Sequence, residues 1–286
     1  MTFSVKENPD RLESLDLGDD ARTTRLVLAP ARGGMATSLI LKKRHLWYLD
    51  EATLRDPAQS VRGGNPVLFP SPGKLEGDQY EWQGKKGKLK QHGFGRLLPW
   101  TLVSQSGGDD ARVTLRLESN DETRKNYPWD FRADYTYILT PEKLRIEMAI
   151  TNTGSEAMPF GAGFHPYFMV KRNEKGHAKI ETNATQAFDN VTKETGPLGP
   201  IDLGGDEVDL HFVDHTGPCT LRVGETGAVV RASEDFVRFV VWTQPGKDFV
   251  CVEPWTSPGN ALNTKEHVIV LEPGQMKNLW VEYASL

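Results

Sequence analysis

Arg112-Val113-Thr114-Leu115-Arg116-Leu117-Glu118 alternates strictly, with Val113, Leu115 and Leu117 on one side and polar side chains on the other. Successive side chains leave an extended strand on opposite faces, so a period of two predicts a strand with one face buried. The pattern recurs downstream. Tyr135, Tyr137 and Leu139 share a face in a run that stops at Thr140-Pro141-Glu142-Lys143. Leu144, Ile146, Met148 and Ile150 then alternate with Arg145, Glu147 and Thr151. Half-buried strands joined by short turns predict an antiparallel sheet.

Working outward, Thr24–Ala29 reads as a strand and Thr37–Asp50 as one or two more, with Gly33 and Gly34 supplying the turn. Arg62-Gly63-Gly64-Asn65-Pro66-Val67-Leu68-Phe69-Pro70 reads as a fixed loop around a short buried strand. Gly77–Gly84 resembles a small hairpin excursion, and the lysine-rich Lys85–Lys90 that follows reads as a solvated loop. Ser119–Tyr127 has room for a helical turn before Pro128. Further strands are expected at Cys219–Val223, Ala228–Ala232, Val237–Trp242, Phe249–Glu253, Val268–Leu271 and Leu279–Tyr283. The longest irregular loop is Gly196–Gly205, but strand spacing is similar on both sides of it. The expectation is an all-β chain, one large antiparallel β-sandwich domain over residues 1–286.

Composition narrows the function classes. A net charge of -5 and the lack of a Lys/Arg cluster with interleaved aromatics argue against a nucleic-acid partner. The polar N-terminus lacks a secretory core, and no apolar run approaches a membrane span, so a cytoplasmic chain with no membrane partner is expected. Cys219 and Cys251 are too few for a disulfide framework.

Chemistry concentrates in a few stretches. In Gly161-Ala162-Gly163-Phe164-His165-Pro166-Tyr167-Phe168, small residues promise open space before an imidazole, and Pro166 restricts where that ring points. Tyr167 and Phe168 offer flat surface of the kind a sugar ring lies against. The inert reading is a hydrogen-bonded histidine at a strand end. Gln91-His92-Gly93-Phe94-Gly95-Arg96 is either a tight turn or a donor pair, His92 and Arg96, aimed at an oxygen-rich ligand; Arg62 beside two glycines has the same two readings. Asp206-Glu207-Val208-Asp209-Leu210-His211-Phe212 reads on physics alone as a charged loop leading to a strand. Glu253 closes the apolar run of Phe249-Val250-Cys251-Val252-Glu253-Pro254-Trp255, where burial would raise its basicity, or where it is an idle, salt-bridged glutamate. A zinc site from His92, His165 and Glu253 has no short ligand spacing behind it.

Taken in order from Arg62 to Trp255, these motifs resemble the aldose 1-epimerase (galactose mutarotase-like) family. The resemblance implies the family's supersandwich fold, a small-molecule sugar as partner, Glu253 as general base and His165 as general acid. It implies sugar contacts from His92, Arg62 and Arg96. Asp209 is the best match to the family's binding aspartate, with Asp206 and Asp214 close enough to compete. In that chemistry only protons move, so no metal or redox cofactor is expected. A glycosidase would use two carboxylates flanking the bond instead. Three readings stay open: an epimerase of free aldoses, the related branch acting on hexose 6-phosphates, and a carbohydrate-binding sandwich without turnover. Against the phosphate branch, Gly95 stands where that branch usually has alanine, and the context of His165 departs from its pattern.

Overall fold

Strict alternation becomes the central ladder of the molecule. The computed structural model describes residues 2–9 and 12–286. Ala111–Glu118, Phe131–Leu139 and Lys143–Asn152 pair antiparallel, with Val113 opposite Tyr137, Leu115 opposite Tyr135, and Tyr135 opposite Met148. All of these side chains are buried, as the pattern demands. The ladder is part of an eight-stranded sheet that runs, edge to edge, Ala178–Glu181, Cys219–Val223, Thr226–Ala232, Met276–Ser285, Lys143–Asn152, Phe131–Leu139, Ala111–Glu118 and Thr101–Ser106.

A second eight-stranded sheet faces it. Its path is Glu194–Pro197, Gln186–Asp189, Val208–Phe212, Arg238–Thr243, Phe249–Trp255, Gly163–Phe164 and Val67–Leu68, and Tyr167–Met169 also pairs with Phe249–Trp255. The inner faces meet through aromatic rings: Tyr135 lies 5.9 Å from Phe164, Phe131 5.0 Å from Phe69, and Tyr283 6.3 Å from Phe168. A five-stranded sheet from Phe3–Glu7 to Arg44–His45 joins the same core through Leu17, Leu28 and Leu39. This is the expected antiparallel sandwich. The Ser119–Tyr127 segment holds a helical turn, Asp121–Arg124, capped by Asn120, whose side chain accepts from the Thr123 N–H. Among the described residues no helix is long and apolar enough to cross a membrane.

One expectation fails. Lys85–Lys88 is a strand, not a loop, and pairs with Gln79–Trp82 in a two-stranded hairpin. Backbone pairing does not require apolar side chains at an exposed edge, and lysines there are a common protection of such edges.

Candidate active site

The second sheet is buried on both faces where the site lies. Val241, Val250, Val252 and Phe212 point into the core. By alternation, Asp209, His211, Val240, Trp242, Glu253 and Trp255 point the other way and line a cavity of about 1060 Å³. The register arranges them in rows across the sheet. His211, Val240 and Glu253 form one row; Asp209, Trp242, Cys251 and Tyr167 form the next. Glu253 is therefore inside its strand, which continues through Pro254 to Trp255, and does not terminate it.

His165 sits between Gly163–Phe164 and Tyr167–Met169, its backbone N–H donating to the Pro66 carbonyl at 3.1 Å. Its ring stacks on Tyr167, with centroids 4.7 Å apart and planes 13° apart. Two expectations about this stretch need correction. A Cβ on Gly163 would meet the Pro254 carbonyl at 2.9 Å and one on Gly161 the Ser257 hydroxyl at 2.4 Å, so these glycines make room for the adjoining strand rather than for a ligand. Phe168 turns into the core, leaving Tyr167 as the aromatic this stretch presents to the cavity.

His165 Nε2 lies 3.3 Å from Glu253 Oε1. Burial pushes the Glu253 carboxyl well above the usual carboxylate range, and the charge of Asp209 adds to the effect. Trp255 Nε1–H donates to Glu253 Oε2 at 3.1 Å and, with Arg96, works in the opposite direction. Burial likewise holds the His165 imidazole down to about 3, helped by the positive charges of Arg96 and Arg62. Both shifts favour the neutral pair, which holds one transferable proton between an oxygen and a nitrogen. The ion-paired form differs only by moving that proton.

His92 closes another wall. Its Nδ1 accepts from the Gly73 N–H at 3.1 Å, which places the proton of the neutral ring on Nε2. Burial drives its pKa well below the ordinary value, so it stays a neutral donor. The turn beyond it needs glycine: Gly93 has φ +69 and an added Cβ would lie 2.3 Å from the Phe69 carbonyl. At Gly95 an added Cβ would meet the Phe69 Cβ at 3.1 Å, a tight contact that a small shift of Phe69 would relieve.

Arg96 donates to the Gln91 carbonyl at 2.9 Å, and Arg62 lies over the Trp242 ring at 5.7 Å. Among the described residues neither guanidinium is ion-paired with a carboxylate. Of the three competing aspartates, Asp209 lines the cavity. Asp214 instead accepts from Thr185 and Gln186 backbone N–H groups, and Asp206 is exposed outside it. All six residues singled out on sequence, His165, Glu253, His92, Arg62, Arg96 and Asp209, therefore border one cavity.

Among the described residues, the donor atoms that converge for a cation are those of His165, Cys251 and Glu253, within 4.8 Å of one another, and not the His92 set. Burial keeps the Cys251 thiol protonated as well as the Glu253 carboxyl. A cation would have to displace protons that the site itself favours, so this donor set suits proton transfer better than metal binding.

Sequence reasoning passed over His211, Asn190 and the donor role of Trp255. The signal for His211 was its i, i+2 spacing from Asp209 within Val208–Phe212, which places both on one face.

Comparison with known proteins identifies the fold and the family. The sequence matches the aldose 1-epimerase family over residues 17–284. The crystal structure of the Slr1438 protein from Synechocystis sp. PCC 6803 is 37% identical, with a TM-score of 0.92 over 99% of this chain and 98% of that one. The galactose 1-epimerase of Lactobacillus acidophilus NCFM superposes with a TM-score of 0.74 over 100% of this chain and 98% of that one, and at 16% identity the likeness is one of fold. Among curated sequences, the Escherichia coli protein YphB is 31% identical over 110 residues, 35% of each chain. A proposed glucose-6-phosphate 1-epimerase of Escherichia coli is 34% identical over 89 residues, 30% of this chain and 26% of that protein. The matched segments thus span about a third or less of these two curated relatives. With its sandwich, its cavity and a family match along almost its whole length, the chain belongs to the aldose 1-epimerase family.

Proposed function

We propose that this protein interconverts the α and β anomers of an aldose by opening and reclosing the sugar ring. The observation that carries the reading is the acid–base pair, His165 Nε2 and Glu253 Oε1, 3.3 Å apart on a buried cavity floor. A cyclic aldose carries its ring oxygen and its anomeric hydroxyl on the same carbon. Opening the ring removes a proton from the hydroxyl and delivers one to the ring oxygen. Two groups this close can each reach one of those oxygens. The shared proton first passes from Glu253 Oε1 to His165 Nε2. The carboxylate so formed takes the hydroxyl proton while the imidazolium gives its proton to the ring oxygen as the carbon–oxygen bond breaks, which leaves both groups neutral again. Rotation about the neighbouring carbon–carbon bond turns the aldehyde over, and the same pair run in reverse closes the ring. Since the pair and its ionised form hold the same number of protons, no proton from solvent is needed.

Around the reacting carbon, His92, Arg62, Arg96 and Asp209 supply donors and an acceptor for the other sugar oxygens. A binding module without turnover would have no use for a buried carboxyl and imidazole at this separation, whose protonation states are both shifted.

A second reading of the substrate is favoured by Arg62 and Arg96. Two guanidinium groups without a carboxylate partner, one repelling the other, suit a phosphate on the far end of a hexose. The relative named as a proposed glucose-6-phosphate 1-epimerase supports the same reading. Polarimetry on pure anomers of glucose, galactose and glucose 6-phosphate, against the spontaneous rate, tests both readings. Acceleration of the free sugars supports the first, and preference for the phosphorylated one the second. No acceleration of any would refute both.

A further inference from the structure

Asp209 is held from two sides. His211 Nε2 lies 3.1 Å from Oδ1, and Asn190 Nδ2 donates to Oδ2 at 2.7 Å. Facing a carboxylate, Nε2 must carry its proton. The Asn190 amide is oriented by a third residue, because its own Oδ1 accepts from Lys193 Nζ at 2.7 Å and its NH₂ therefore turns to Asp209. A carboxylate has about four acceptor positions, and these two donors occupy one on each oxygen. One on each oxygen remains, on a side chain that lines the cavity.

His211 is well fixed for this task. It is 6% exposed, and its ring meets Trp255 edge-on at 5.2 Å and Phe188 at 5.7 Å. The strand of Asp209 and His211 is two places from the strand of Glu253, about 10 Å between backbones at the usual strand spacing. Asp209 thus addresses a part of the sugar ring other than the carbon where the ring opens.

We infer that His211 is a positioning residue for substrate recognition: with Asn190 it locks the Asp209 carboxylate so that its two free acceptor positions receive two neighbouring sugar hydroxyls. This rests on the cavity being a sugar site, as proposed above, and adds a residue and a specificity to it. The preferred substrate is an aldose that presents adjacent hydroxyls to Asp209, and removing either hydroxyl weakens binding.

The test compares His211→Phe, which keeps the ring contacts and removes the donor, with His211→Gln, which restores an N–H of similar reach. Asn190→Ala serves as a second probe, because it lies on a partly exposed turn outside the core. The readouts are kcat and KM for anomer equilibration of whichever of glucose, galactose or glucose 6-phosphate the wild type turns over fastest, and the calorimetric Kd for whichever of the three it binds most tightly. A lost hydrogen bond to a half-buried charged group predicts a rise in KM and Kd of about tenfold to a hundredfold in His211→Phe. kcat should stay within a few-fold, His211→Gln should recover most of the loss, and Asn190→Ala should raise KM in the same way. Unchanged KM and Kd in His211→Phe would overturn the inference. A fall in kcat alone would also overturn it, since that would mean His211 acts on Glu253 through Trp255. Equal losses in the Phe and Gln variants would assign His211 a packing role and likewise overturn it. The Kd arm reads the contact with or without turnover, so a wild-type protein that binds sugar but does not equilibrate anomers counts against the epimerase reading alone.

Discussion

Glu253→Gln distinguishes a buried neutral acid from a buried ion pair. Glu253 is 1% exposed and its folded pKa stands well above 4.5, the value of a free glutamate. Above pH 4.5 the unfolded chain has released this proton while the folded chain keeps it. Stability therefore falls as pH rises, by about 1.4 kcal/mol for each pH unit, until the folded carboxyl also ionises. His165 has the opposite sign. Its folded pKa is about 3 against 6.5 unfolded, so its contribution is complete above 6.5 and is lost as pH falls toward about 3. Between 4.5 and 6.5 the two slopes offset, and above 6.5 only the decline due to Glu253 remains. Gln has the shape of the neutral acid and still accepts from Trp255. It should abolish that decline, so the variant gains on the wild type by about 1.4 kcal/mol per pH unit from pH 4.5 upward, for as long as the folded carboxyl keeps its proton. Denaturant unfolding of both proteins from about pH 5 to about pH 8 measures this difference directly. A Glu253→Gln protein less stable by about 3–5 kcal/mol at neutral pH would show a true ion pair with His165 and refute the reasoning.

Two further outcomes follow from the same electrostatics. In Asp209→Asn the charge that helps hold the Glu253 carboxyl up is gone, so the pair loses its shared proton more easily and the alkaline limb of the kcat/KM profile should move to lower pH; an unmoved limb would show that Asp209 has no hold on Glu253. Trp255→Phe keeps the ring but deletes the N–H on Glu253 Oε2, a bond that favours the ionised carboxylate. Its kcat/KM should fall by about tenfold to a hundredfold with the alkaline limb moved to higher pH, read from a pH series of equilibration rates.

Much of this was legible in the residues, for identifiable reasons. Val113, Leu115, Ile146 and Met148 declare a half-buried sheet because their period of two has no other economical explanation. The hairpin at Lys85–Lys88 was hidden because an exposed edge strand carries no hydrophobic signal. Val208–Phe212 was obscured differently. It is buried on one face by core and on the other by a polar cavity, so its alternation sets Leu210 and Phe212 against Asp209 and His211, and the acids preceding it look like a loop. The glycines flanking His165 drew a wrong inference, because sequence cannot say whether missing Cβ atoms make room for a ligand or for a neighbouring strand. The 3.3 Å approach of His165 to Glu253 depends on two register choices 88 positions apart in the chain, and only the assembled sheet reveals it.

The central claim is that Glu253 accepts the anomeric proton, and the equilibration rate of a pure anomer by folded Glu253→Gln protein tests it most directly. Glutamine holds the shape of the site and cannot accept that proton. The rate above the spontaneous background should fall by about a hundredfold to ten-thousandfold. A rate near that of the wild type would contradict the account and remove Glu253 as the base.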